Sequence, residues 1–91
     1  MVYRLYVGSN NKTGKVEEEK AKRIIASQFE GFTVYPKGTG YWQGKQEEVL
    51  PIEIETESKK KLIDTIKTLL KGLKQEAIGL VAVGKMSFIG A

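Results

Sequence analysis

The chain has 91 residues, no cysteine and no histidine, and a formal net charge of +4 from 15 Lys and Arg against 11 Asp and Glu. This length suits one domain spanning residues 1–91. The missing residue types exclude disulfides, thiol nucleophiles, thiolate metal sites and imidazole chemistry, so we expect a protein that is not an enzyme and uses no metal or cofactor.

The pattern of charge and hydropathy bears on location and partners. No apolar run approaches the roughly 20 residues of a membrane span, and the sequence opens on a strand pattern without a leader. We therefore expect a cytoplasmic protein with no membrane partner. The excess of positive charge favours an anionic partner.

The first third of the chain predicts a strand, a loop and a helix. Residues 2–7 alternate, with Tyr3, Leu5 and Val7 on one face and Val2, Arg4 and Tyr6 on the other, which is typical of a strand. Turn-forming residues follow at 8–14. From 16 to 29 the apolar residues recur on one helical stripe behind a run of glutamates, which predicts the first helix.

The middle of the chain, residues 31–55, holds the single Trp, both Pro and four of the ten Gly. It predicts a long hairpin: a strand near 32–35, an irregular interruption at 37–40, a resumed strand at 41–42, a turn at 43–46 and a return strand at 49–55. Since Pro51 cannot donate to a sheet ladder, we expect a bulge at that residue.

The last third predicts a second helix and a final strand. Residues 58–74 keep a 3.6-residue apolar period, and Thr56 or Ser58 can cap this helix. Lys59, Lys60 and Lys61 occupy its first turn, where the helix dipole disfavours cations. Residues 77–89 are apolar on both faces, so we expect a strand that is buried or paired with another chain.

The element order predicts an α+β, ferredoxin-like βαββαβ fold, with a four-stranded antiparallel sheet and two helices on one of its faces. The other face of the sheet would be too apolar to be left in water. We therefore expect it to be an interface of a homo-oligomer, as a dimer or higher, or else a ligand surface. This face would show Arg4, Tyr6, Thr33, Tyr35, Val49, Glu53, Val81 and Val83.

Three groups of residues are candidates for ligand binding. Lysines and backbone N–H groups suit an anion, aromatic rings stack on a base, and Asn side chains bond its edge, so together they predict an anionic, nucleotide-like small molecule. Each group also has a structural explanation: a turn, an interface aromatic, or solvated charge. The ligand-binding candidates are Asn10, Asn11, Lys12, Thr13, Tyr35, Lys37, Tyr41 and Trp42, and the secondary anion site is Lys59, Lys60 and Lys61.

Acidic pairs offer little support for catalysis. Glu47 and Glu48, and likewise Glu53 and Glu55, are interpreted as solvent-facing charges on a strand.

Two short runs resemble the RNA-recognition motif domains. Leu5-Tyr6-Val7-Gly8-Ser9-Asn10 resembles their RNP2 strand, and Lys37-Gly38-Thr39-Gly40-Tyr41-Trp42 resembles their RNP1, although Thr39 stands where a stacking aromatic is expected. This resemblance implies the same element order and base stacking on the open sheet.

A longer resemblance is to the DUF3574-like group of small bacterial and phage proteins, in its compact phage-encoded form. It implies a ferredoxin-like fold and a phage or prophage accessory role in the host cytoplasm. The matching residues are Leu5-Tyr6-Val7-Gly8, Gly31-Phe32-Thr33-Val34, Gly40-Tyr41-Trp42, then Gly44 and Glu47 or Glu48, and Gln75-Glu76.

These observations leave three hypotheses for function. The first is a non-enzymatic phage accessory protein that sequesters a nucleotide-like molecule, such as a host defence signal, and so acts in anti-defence. The second is a module that binds single-stranded RNA or DNA on the sheet face. The third is a protein-interaction module without a small ligand.

Overall fold

The computed structural model describes residues 1–10, 12–75, 77–85 and 87, with Trp42 described in its backbone alone. The strands form one antiparallel sheet in the order β2-β4-β1-β5, and β3 also pairs with β4. This topology confirms the predicted α+β ferredoxin-like fold, with five strands in place of four. The elements are β1 (Val2–Gly8), α1 (Glu18–Ala26), β2 (Thr33–Val34), β3 (Gly38–Trp42), β4 (Lys45–Glu55), α2 (Lys59–Leu73) and β5 (Gly79–Gly84).

The fifth strand arises because one predicted strand is interrupted. β2 and β3 lie along the same edge of β4, where Val34 pairs with Ile52 and Gly38 pairs with Val49. Residues 35–37 therefore oppose only residues 50 and 51, which is the three-against-two pairing of a bulge. The strand resumes at Gly38, so the prediction of an irregular stretch at 37–40 is wrong for residues 38–40.

The predicted bulge at Pro51 is also wrong, because the pairing of β1 with β4 runs through Tyr6 and Pro51 without a shift in register. The carbonyl of Pro51 accepts a hydrogen bond from the Tyr35 N–H at 3.0 Å, on the side of β2 and β3. In an antiparallel ladder the nitrogen and oxygen of one residue face the same neighbour. The Pro51 nitrogen, which carries no proton, therefore faces residues 35–37, and the bulge lies in the strand opposite the proline.

A two-residue turn joins β3 to β4. Gln43 and Gly44 have φ of 51° and 77°, and the flanking residues Trp42 and Lys45 are paired. Positive φ at both central residues is what a type I′ hairpin turn requires, and that turn matches the twist of the strands it joins. Lys45 and Gln46, which were assigned to the turn, already belong to β4.

Both helices pack on one face of the sheet. Leu5, Leu50 and Ile52 are fully buried beneath them, which confirms the predicted alternation. The first helix, Glu18–Ala26, is shorter than the predicted 16–29. Val16 and Phe29 are buried in the core, but they belong to the segments that flank the helix. The helical side of the core consists of Val16, Ala21, Ile25, Phe29, Leu62, Ile66, Leu69 and Leu73.

Local contacts explain how α2 begins despite three lysines in its first turn. Ser58 is the N-cap, and its hydroxyl accepts a hydrogen bond from the Lys61 N–H at 3.1 Å, which confirms one of the two predicted caps. The Lys60 ammonium lies 3.2 Å from Asp64. The Lys61 ammonium lies 4.9 Å from the centre of the Phe29 ring, a cation–π distance.

The C-terminal end of α2 predicts a stabilising substitution. Lys74 closes the helix in the left-handed region at φ 54°, a conformation that costs a residue with a Cβ roughly 1 to 2 kcal/mol. Lys74→Gly is expected to raise the free energy of unfolding by about 1 kcal/mol in urea titrations, since part of the gain is offset by a freer unfolded chain. Lys71→Gly, inside the same helix, should lower it by about 1 kcal/mol. Equal losses in both variants would contradict the assigned cap.

The final strand is shorter than the predicted 77–89, because β5 spans Gly79–Gly84. Residues 86, 88 and 89 of that prediction lie outside the described residues. Leu80, Val81 and Val83 are exposed in β5. Within the described part of the chain, no helix is long and apolar enough to cross a membrane.

Candidate functional site

A cavity of about 610 Å³ lies at the end of β1, between the β3–β4 hairpin and the connection from α2 to β5. Glycines and alanine keep this space free of side chains. A Cβ at Gly40 would lie 3.6 Å from Val49, and one at Gly79 would lie 3.4 Å from the ring of Tyr6. The lining consists of Tyr6, Gly8, Ser9, Thr39, Gly40, Tyr41, Glu47, Val49, Gln75, Ala77, Ile78 and Gly79.

Gln75 fixes one wall of the cavity. Its side-chain Oε1 accepts a hydrogen bond from the Gly8 N–H at 3.3 Å, and its Nε2 donates to the Gly8 carbonyl. The pairing of β1 with β5 ends at Tyr6 and Gly79, so the amide of Gln75 continues the ladder where β5 has not yet begun. Gln75 was singled out from the sequence only as part of the resemblance to the DUF3574-like group.

Two glutamates interpreted as solvent-facing are half-buried and hydrogen-bonded, which corrects that interpretation. The Ser9 hydroxyl donates to Glu47 Oε2 at 3.1 Å, which holds the Glu47 carboxylate at the cavity wall. Glu48 points to the other face of β4, where its Oε1 accepts a hydrogen bond from the Val16 N–H at 3.1 Å. Reasoning from sequence did not identify Glu47 as a site residue, because its hydrogen-bond partner Ser9 is 38 residues distant in the chain.

Two tyrosines are the aromatic residues of the described lining. Tyr41, which was predicted to bind ligand, lines the cavity and is 73% exposed. Tyr6 lines it from β1 and is 36% exposed. The side chain of Trp42, the other aromatic of this pair, lies outside the described residues.

The cavity lining does not include Asn10, Lys12 or Thr13, the described residues of the loop after β1 that were predicted to bind ligand. Asn10 Oδ1 accepts a hydrogen bond from the Lys12 N–H at 2.8 Å, and Thr13 Oγ1 accepts one from the Lys15 N–H at 3.2 Å. Both side chains thus support the turns of their own loop, as their residue types favour. Asn11 lies outside the described residues.

The remaining predicted residues are also dispersed. The Lys37 ammonium lies 3.9 Å from Glu48 on the β3–β4 hairpin. Lys59, Lys60 and Lys61 begin α2, beyond the end of β4 that is distant from the hairpin. Lys61 lines a second cavity of about 540 Å³ together with residues 26–31 and Glu55. The structure therefore does not bring the predicted ligand-binding and anion-binding residues into one cavity.

The open face of the sheet carries a polar network, so the expectation of a face too apolar for water is wrong for its centre. The guanidinium of Arg4 bonds the Glu53 carboxylate, with Nε to Oε2 at 2.8 Å. The Tyr35 hydroxyl donates to Glu53 Oε1 at 3.0 Å, and Arg4 lies 5.9 Å from the centre of the Tyr35 ring. Arg4 also bonds the Tyr6 hydroxyl at 3.4 Å. Exposed apolar side chains on this face, Val81 and Val83, belong to β5.

The network shifts the pKa values of Glu53, Arg4 and Tyr35 in consistent directions. Hydrogen bonds from Arg4 and then from Tyr35 hold the pKa of Glu53 below its ordinary value of 4.5. Contact with the Tyr6 hydroxyl and with Glu53 raises the pKa of Arg4, and the bond to Glu53 raises that of Tyr35. The network thus favours an ionised Glu53 in the folded state.

This lowered pKa predicts a pH dependence of stability. A carboxyl group with a lower pKa in the folded than in the unfolded state stabilises the fold above its unfolded pKa, and that contribution is lost as the pH falls through the folded value. The free energy of unfolding should therefore decrease on acidification below about pH 4.5, and Glu53→Gln should flatten this dependence. Glu30→Gln is the control at an exposed acid. Parallel acid profiles for wild type and Glu53→Gln would contradict the role of the network.

Metal binding finds no support in the described residues, among which no group of three or more Asp or Glu could hold a metal ion.

No protein-family profile matches this chain, and no curated protein sequence matches it. The fold is similar to the periplasmic divalent cation tolerance protein CutA from Archaeoglobus fulgidus, with a TM-score of 0.50 and 16% identity over 96% of this chain and 88% of that chain. CutA from Synechococcus elongatus PCC7942 aligns with a TM-score of 0.49 and 12% identity over 88% of this chain and 72% of that chain. The resemblances to DUF3574-like and RNA-recognition motif proteins stay predictions. At 16% identity, the first likeness establishes a shared α+β ferredoxin-like fold and no more.

Proposed function

We propose that this chain is a cytoplasmic, non-enzymatic binding protein that holds a small nucleotide-like molecule in the cavity beside Tyr41. The observation that carries the proposal is the cavity itself. Its volume of about 610 Å³ falls within the roughly 300 to 1,000 Å³ of small-molecule sites, which combine apolar surface with a few fixed polar groups. The lining includes Tyr6, Tyr41 and Val49 among its apolar residues, and Glu47 and Ser9 among its polar ones.

The charges around the cavity indicate how such a ligand would be oriented. The described lining contains the carboxylate of Glu47 but neither lysine nor arginine. An anionic group inside it would meet a like charge, which is unfavourable at short range. The neutral ring of the ligand would therefore occupy the cavity, and its phosphate would lie outside, toward cations such as Lys45, which precedes Glu47 by two residues in β4 and so shares its face of the strand.

The biological role in this proposal is sequestration. It builds on the resemblance to the compact phage-encoded DUF3574-like proteins, which implies a phage or prophage accessory role. The removal of a host defence signal is the form of that role that we propose. The divalent cations named for the structural neighbour are not part of it, because the described residues lack a cluster of metal-binding side chains.

A second copy of this chain is the partner that we propose for β5. The strand is uncharged from Gly79–Gly84, and Leu80, Val81 and Val83 are exposed. Natural edge strands are usually protected by charges or proline. Pairing or stacking with another copy would explain why β5 has neither. Sedimentation at several concentrations should show a homo-oligomer, and a monomer at every concentration would contradict it.

A nucleotide screen tests the proposed function directly. Linear and cyclic nucleotides are added to the full chain, and the free energy of unfolding is measured by thermal denaturation. A ligand held at 100 times its dissociation constant should stabilise the fold by about 2.7 kcal/mol. The absence of stabilisation by every nucleotide would overturn the proposal.

The open sheet face favours a second candidate function, the binding of single-stranded RNA or DNA. Tyr6 and Tyr35 are partly exposed on either side of Arg4, and exposed aromatics beside a cation suit base stacking. Oligonucleotide affinity should then decrease steeply with salt and be lost in Tyr6→Ala. Oligonucleotide binding that is absent or independent of salt would exclude this candidate.

A further inference from the structure

We infer, on the basis of the proposed function, that Glu47 reads the edge of the bound base and selects one with two adjacent N–H donors, as guanine presents. Glu47 is a cavity residue with fixed orientation, because the Ser9 hydroxyl donates to its Oε2 at 3.1 Å. A Cβ at Gly8 would lie 3.4 Å from Glu47 Oε1. This oxygen is therefore directed along the wall of the cavity that Gly8 leaves open.

The hydrogen-bonding capacity of Glu47 is incompletely used by the protein. Each oxygen of a carboxylate accepts about two hydrogen bonds. Among the described residues, Ser9 is the side chain that donates to this carboxylate, and it uses one position on Oε2. Oε1 and the second position on Oε2 together can accept a pair of N–H groups from a ligand.

Gln75, the other polar side chain on this wall, does not compete for the same ligand groups. Its Oε1 and Nε2 are both engaged with the backbone of Gly8. The amide thus closes the wall, and the carboxylate of Glu47 is the one charged acceptor among the described lining residues. A pure acceptor with two oxygens selects for donors and against other acceptors.

The common bases differ on this criterion. Guanine presents its ring N–H beside an amino group, which matches both oxygens of a carboxylate. Adenine presents its amino group beside an unprotonated ring nitrogen, so one carboxylate oxygen would face another acceptor. Hydrogen bonds to a charged group contribute roughly 1.5 to 3 kcal/mol, which corresponds to a preference for guanine of about 10- to 150-fold.

Calorimetric titration of the full chain with GMP, IMP and AMP tests this inference. GMP should bind about 10- to 150-fold more tightly than AMP, and IMP, which lacks the amino group, should bind more weakly than GMP. Glu47→Gln keeps the shape of the side chain but introduces a donor, so it should remove the preference for GMP. Glu48→Gln is the matched control, because the neighbouring carboxylate bonds the Val16 N–H and the preference should persist.

The outcomes separate this inference from the proposed function. Equal affinity for all three nucleotides, or an unchanged preference in folded Glu47→Gln, would overturn the role of Glu47 and leave the proposed function standing. Binding of none of them, together with a negative nucleotide screen, would overturn both. Tighter binding of agmatine than of GMP would show that Glu47 selects a guanidinium cation and would overturn the assignment to a base.

Discussion

Leu62→Ala is expected to lower the free energy of unfolding by about 2 to 5 kcal/mol, the largest effect on stability that we predict. Leu62 is fully buried in α2 and belongs to the core between the helices and the sheet. The substitution removes buried methyl groups and leaves a cavity that the surrounding side chains fill incompletely. Small domains unfold with about 5 to 15 kcal/mol, so this loss is a large share of the total.

Ile63→Ala is the matched control for this prediction. It removes a similar aliphatic side chain at the next position of the same helix, but Ile63 is 37% exposed. Equilibrium unfolding in urea should show a loss of less than about 1 kcal/mol for this variant. Similar losses in the two variants would mean that α2 does not present the assigned face to the core.

Tyr41→Ala is expected to weaken nucleotide binding by roughly 5- to 150-fold, because stacking of a base on an aromatic ring contributes about 1 to 3 kcal/mol. Tyr41 lines the cavity and is 73% exposed, so its ring is available to a ligand. The same exposure means that the thermal unfolding temperature of the free protein should change little. Calorimetric titration with the nucleotide found in the screen measures the effect.

Tyr41→Phe distinguishes stacking from hydrogen bonding at this position. It keeps the ring and removes the hydroxyl, so the affinity should stay near that of the wild type. A loss in Tyr41→Phe as large as in Tyr41→Ala would assign the contribution to the hydroxyl. Full affinity in Tyr41→Ala would mean that the ligand binds elsewhere.

The helices and the strand alternation could be predicted from the sequence because they depend on local periodicity. Leu62, Ile66 and Leu69 recur at helical spacing and are buried together, and Ser58 caps the helix as its residue type favours. The ends of α1 were less predictable. Val16 and Phe29 are buried as a helical stripe would require, but their burial comes from flanking segments.

The position of the bulge could not be derived from Pro51 alone. A proline removes a donor from its own strand, but the neighbouring strand determines how that loss is accommodated. Here residues 35–37 of the neighbour supply the extra residue, and Tyr35 still bonds the Pro51 carbonyl. Pairing between strands is a property of two segments, which a pattern along one segment does not specify.

One aromatic residue of the site was predictable from the sequence, whereas the polar residues were not. Tyr41 was identified from its place in a glycine-rich hairpin, and it does line the cavity. Glu47 and Gln75 depend on contacts with Ser9 and Gly8, which are 38 and 67 residues distant in the chain. Local reasoning assigned polar roles to Asn10 and Thr13, whose side chains bond their own loop instead.

The β3–β4 hairpin extends beyond the rest of the sheet, because β1 pairs with β4 only as far as Val49 and the described chain is 44 Å long but 23 and 21 Å wide. Residues 45–48 therefore have a strand neighbour on one edge alone. Their amide protons should exchange with deuterated solvent sooner than those of Ile52 and Ile54 in the centre of the sheet. Thr39, Tyr41 and Glu47 line the cavity and belong to this hairpin. A ligand in the cavity should therefore slow the amide exchange of the hairpin and leave that of the helices unchanged.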